Sequence, residues 1–122
     1  MNAPISDRSS DNSTFQLGEW MDELKFYELE LKSCELTLEA LVETNPTADG
    51  TLWKQVEHFQ NQFILQGSNL HTLKWDVRRN LPVLESEAWP LQFGSLVSQM
   101  QTMRRIFFEL LADFDRFFKN WL

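Results

Sequence analysis

Three kinds of side chain in this 122-residue chain could carry chemistry: the histidines His58 and His71, the lone cysteine Cys34, and eighteen acidic residues. Carboxylate-bridged di-iron bundles need Glu-x-x-His, which projects both ligands from one helix face. Here Gln55 stands three residues before His58 and Ser68 three before His71, so neither histidine has that partner. Two histidines and one cysteine offer no zinc-ligand spacing either. Cys34 falls on the apolar seam of the first helical block, where it reads as a small core residue rather than a nucleophile. The acids between Phe15 and Glu43 could supply paired carboxylates, but they lie off that seam and read as a solvated charged face. The expectation is a non-catalytic protein with no metal, cofactor or small-molecule substrate.

The elements that would have to position any such group are helices. Residues 1–14 hold Ser, Asn and Asp with one large aliphatic side chain, Ile5; they bury too little to offset ordering entropy and are expected to form a flexible tail. Beyond them the helix-hostile clusters are Asn45 to Gly50 and the segment from Pro82 to Pro90. These divide residues 15–122, read as one domain, into helices over about 15–43, 51–80 and 90–121. In the first, Leu17, Trp20, Leu24, Tyr27, Leu31, Cys34, Leu38 and Leu41 recur at alternating steps of three and four, an unbroken heptad seam of coiled-coil type. The second carries Leu52, Val56, Phe59, Phe63, Gln66, Leu70, Leu73 and Val77, with Thr51 or Asp49 as its cap. The third carries Phe93, Leu96, Met100, Met103, Phe107, Leu110, Phe114, Phe117 and Trp121, with Pro90 suited to its first turn.

Three helices of about 30 residues, each roughly 45 Å long, joined by short connections, must be neighbours. The predicted fold is all-α, an antiparallel up-down-up three-helix bundle. Charge agrees with that pairing. Phe15 to Glu43 holds eight acidic and two basic residues, whereas Thr51 to Leu81 holds two acidic and four basic. Folding back should bring Lys74, Arg78 and Arg79 toward Glu19, Asp22 and Glu23.

The net charge of −7 and pI near 4.7 have the wrong sign for broad contact with nucleic-acid phosphates or an anionic membrane. No apolar run approaches the ~20 residues of a membrane span and no signal-peptide core opens the chain, so the expected compartment is the cytoplasm.

One string, Leu70-His71-Thr72-Leu73-Lys74, resembles the phosphoacceptor motif of histidine-containing phosphotransfer domains, which are small helical bundles. That resemblance implies an alternative function in which an exposed His71 carries a phosphoryl group. The family's motif continues with Gly, where this chain has Trp75. Leu24-Lys25-Phe26-Tyr27 and the stretch from Val56 to Ile64 are similar in style to short all-helical bacterial proteins with no attached function. That likeness implies a three-helix domain and nothing chemical.

After the seams are assigned to a core, Phe26, Leu29, Leu36, Ile64, Leu65, Trp75 and Phe108 should point outward. Contiguous apolar surface marks a protein contact, so the chain is expected to be an interaction or oligomerisation module, forming a dimer or binding another helical protein. The simplest arrangement is a symmetric dimer through the outer stripe of the first helix. Counting outward from the two connections also puts Tyr27, Gln66 and Arg104 at one height, predicting a polar layer that sets register.

Overall fold

The computed structural model describes residues 3–46, 50–80 and 89–121, with the side chains of 13–46, 50–80 and 90–121. Three helices make up the described chain: α1 (Ala3–Thr44), α2 (Gly50–Arg79) and α3 (Trp89–Asn120). Asp49 and most of the segment around Pro82 lie outside the described residues.

The helices end where the chemistry of the chain says they should. At the end of α1, Thr44 Oγ1 donates to the carbonyls of Ala40 and Leu41 at 3.0 and 3.1 Å, and Asn45 Nδ2 donates to Leu41 O at 2.9 Å. These side chains satisfy carbonyls that have no partner in a further turn, and Pro46 follows. Asn80 does the same for α2, its Nδ2 reaching Asp76 O at 2.7 Å, beside Arg78 and Arg79, whose charges suit a helix C-terminus. Pro90 is the second residue of α3, where a missing N–H costs nothing.

The start of α1 differs from the sequence reading. The helix begins at Ala3, not near Phe15. Extending a helix that packing has already nucleated is nearly neutral per residue and needs no buried face. The segment's only proline, Pro4, falls in the first turn. The low hydrophobicity of residues 1–14 therefore argued against burial but not against helix.

Cross-helix contacts give the topology. Lys74 Nζ meets Glu28 Oε1 at 2.9 Å while Glu35 and Glu39 share a groove with Gln60 and Ile64, and Phe59 and Phe63 meet Phe117 and Phe114 with ring centroids 4.8 and 5.1 Å apart. Residue numbers thus rise on one helix as they fall on its neighbour, so α1–α2 and α2–α3 are antiparallel. Tyr27 stacks on Phe107 at 4.4 Å and Glu23 binds Arg104, making α1 and α3 parallel. This is the up-down-up bundle. Every seam residue of α2 is buried, as are Leu17 to Leu41 of the α1 seam apart from Cys34, and Leu96 to Phe117 of α3. Cys34, Phe93 and Trp121 are half-buried against that core. At the end where α1 and α3 finish and α2 starts, Phe59, Phe63, Phe114 and Phe117 form an edge-to-face and tilted aromatic cluster. Trp20 stacks on Phe93 toward the other end at 5.4 Å.

Candidate functional site

The charged group most firmly held by the fold is Glu23. Its position on α1, one residue short of the buried Leu24, tips the carboxylate into the α1–α3 boundary. There Arg104 of α3 donates through Nε to Oε2 at 2.6 Å and through Nη2 to Oε1 at 2.8 Å, a two-point grip. Tyr27, one turn along α1, donates its hydroxyl to Oε2 at 2.5 Å. Burial by itself would raise the Glu23 carboxyl, but the hydrogen bonds from Arg104 and Tyr27 and the guanidinium charge outweigh it and hold the group below its ordinary range. The Tyr27 hydroxyl is pushed up to about 12, first by burial and then by its bond to Glu23 and that residue's charge. Each member stabilises the resting charge state of the others. No free base or acid results; the cluster is a clasp between α1 and α3.

This clasp corrects the expected polar layer. Tyr27 and Arg104 do lie at one height, joined through Glu23, which the sequence reading left on the solvated face. Gln66 is buried at 5% exposure but stands apart from them. Its Oε1 accepts from Asn69 Nδ2 of its own helix at 3.3 Å. The reason is register. With Phe63 facing Phe114 and Gln55 bonded to Trp121, the α2 residues opposite Arg104 are near Thr72 and Leu73. Gln66 sits about six residues, roughly 9 Å, further along. Counting from the middle of each connection misplaced α2 because the helices do not pivot about those midpoints.

Lys74, Arg78 and Arg79 do not make the ion pairs expected with Glu19, Asp22 and Glu23. Lys74 crosses to α1 but meets Glu28, while Arg79 pairs with Asp76 on its own helix and Glu23 belongs to Arg104.

His71 is exposed on α2, bordered by Lys74, Trp75 and Arg78 in a shallow depression. The Arg78 guanidinium lies over the Trp75 ring at 6.0 Å. Cys34 is half-buried, and its thiol is pushed up by burial and then by Glu30 and Glu35 nearby, the opposite of an activated nucleophile. Among the described residues no three His, Cys, Asp or Glu side chains gather as metal ligands, and no helix is long and apolar enough to cross a membrane.

All seven side chains expected to face outward are exposed, together with Phe15, Trp53 and Leu91. They do not form one patch. Ile64 borders the α1–α2 groove with Glu35, Glu39 and Gln60, a shallow trough of about 450 Å³. Trp75 shares its depression with Lys74, which bridges to α1. Leu29 and Leu36, each about 100° past Glu28 and Glu35 on α1, stand on the outer surface of the helix, away from the buried seam. Phe26 and Phe108 are next to Tyr27 and Phe107, on the α1–α3 side. Leu65 is one position beyond Ile64, turned toward α3. The period alone gave exposure correctly but could not say which inter-helix face each residue joins.

No known family, curated protein or solved structure matches the chain.

Proposed function

We propose that this protein is a non-catalytic helical module that acts by protein–protein contact, with self-association as its principal mode. The observation that carries the reading is the set of large apolar side chains standing outside an already complete core. Leu29, Leu36, Ile64 and Phe108 are each more than 60% exposed, and large apolar side chains that the core does not need are costly to leave in water. The chemistry-bearing residues support it as well: the thiol is deactivated, and the best-held carboxylate is locked to a guanidinium. The test is the mass by light scattering of the wild type against a Leu29→Glu/Leu36→Glu variant, which charges the surface without touching the seam. Association in the wild type that is lost in the variant supports the reading; monomers in both contradict it.

A second reading, phosphoryl transfer through His71, draws on the exposure of that imidazole between Lys74 and Arg78. Incubation with a labelled phosphodonor separates the two, because only phosphotransfer predicts label that disappears in His71→Gln.

A further inference from the structure

Resting on the self-association reading, we infer that the partner is a second copy of this chain. It packs through the α1–α2 face about a two-fold axis parallel to the helices, so that α1 of each copy lies on α2 of the other.

Charge selects this arrangement over α1 on α1. Helix α1 carries the acidic excess, eight acids to two bases over Phe15 to Glu43, of which Glu23 is taken by Arg104 and Glu28 by Lys74. Two such helices brought together repel, whereas α2 carries four bases to two acids over Thr51 to Leu81. Within one copy the two helices already show that complementarity in the Lys74–Glu28 bridge. The two-fold axis repeats it between copies, twice per dimer.

Register makes the same choice. Rotation about an axis parallel to the helices moves no residue along them, so residues at one height within a copy meet at that height across the interface. The Glu28–Lys74 bridge and the groove shared by Glu35, Glu39, Gln60 and Ile64 fix those heights. Leu36 of one copy therefore comes to the level of Ile64 of the other, Leu29 to that of His71 and Trp75, and Asp22 to that of Arg78. At these levels Leu36 meets Ile64 and Asp22 meets Arg78. Leu29, Leu36, Ile64 and Trp75, between 51% and 69% exposed in the single chain, are covered together. The face is about 30 residues long and two helices wide, roughly 45 by 20 Å, which matches the ~800 Å² per partner of a stable interface. The α1–α2' and α2–α1' pairs are antiparallel, so the centre of the dimer is a four-helix layer with the α3 helices outside.

The test uses the full chain in a Cys34→Ser background. Leu36→Cys and Ile64→Cys chains, one tagged to separate the mixed dimer by size, are mixed and treated with a short bismaleimide, with each chain treated alone for comparison. The expected result is a mixed crosslinked dimer in clear excess over either self-crosslinked dimer. In parallel, Asp22→Arg and Arg78→Asp should each weaken dimerisation about tenfold, and their combination in one chain should restore it to within about twofold. A dimeric mass with only Leu36→Cys self-crosslinks, with no crosslink, or with no rescue by the paired reversal overturns this arrangement and leaves self-association standing. A monomeric mass at every concentration overturns both.

Discussion

Replacing Phe63 with alanine should cost about 3–5 kcal/mol, while the same change at Phe108 should cost less than about 0.5 kcal/mol. The difference follows from where the two rings sit. Phe63 is 1% exposed and packs edge-on against Phe114 at 5.1 Å and tilted against Phe59 at 6.1 Å. Truncation removes most of a buried phenyl ring and leaves a cavity between α2 and α3 that helix backbones cannot close. It also removes aromatic pairs worth about 0.5–1.5 kcal/mol each beyond their area. Phe108 is 67% exposed, so its loss removes little buried surface. Domains of this size are stable by about 5–15 kcal/mol, so the loss at Phe63 is a large share of the total. The assay is urea denaturation followed by helical circular dichroism, with all variants at one low protein concentration so that association does not enter the comparison. A double-mutant cycle of Phe63→Ala and Phe114→Ala should show coupling of about 0.5–1.5 kcal/mol. A loss below about 1 kcal/mol at Phe63, or equal losses at Phe63 and Phe108, would refute the assignment of the α2 seam to the core.

Glu23→Gln should destabilise by about 1–2 kcal/mol near neutral pH, because it removes the charge from three short hydrogen bonds in a half-buried site. Since the folded-state carboxyl lies below its ordinary value of 4.5, this contribution is present above that pH. It fades as pH falls through the lowered value, so wild type and variant should converge in acid melts. The raised Tyr27 hydroxyl has the opposite sign: its contribution is present below its ordinary value of 10.0 and is lost as pH rises toward about 12. A Tyr27→Phe variant should lose less stability than wild type over that alkaline interval. Gln66→Leu should raise the melting temperature by a few degrees, because the buried amide has only a 3.3 Å bond from Asn69 to lose; a fall would show the amide to be structurally required. Gly94→Ala should stabilise by about 0.5–1 kcal/mol, since an added Cβ there meets nothing within 4 Å. A destabilised variant in the same melt would mean that α3 needs the glycine.

The fold was legible because each block repeats its apolar residues at helical spacing, broken only by Gln66 in the second, and a seam is a statement about which face is buried. Leu24, Leu31, Phe59, Phe63, Leu70, Met103, Phe107, Leu110 and Phe114 are all buried, as their central seam positions require. Register was not legible. Where Gln66 falls relative to Arg104 depends on how each connection turns, and seams of Leu and Phe fit at several heights, so residue counting alone missed by about a turn and a half. Glu23 escaped for a related reason. A carboxylate beside a seam looks solvated until the third helix brings Arg104 to it, and nothing on the first helix announces that arrival. The extended start of α1 shows the limit of reading burial as helicity, since residues 3–14 need no core to continue a helix already formed.

Sedimentation equilibrium of the wild-type chain, from low micromolar to several hundred micromolar, tests the central claim of self-association most directly. The account predicts a mass that rises to twice the 14.4 kDa of the single chain and stops there. A mass of one chain across the whole range would contradict it.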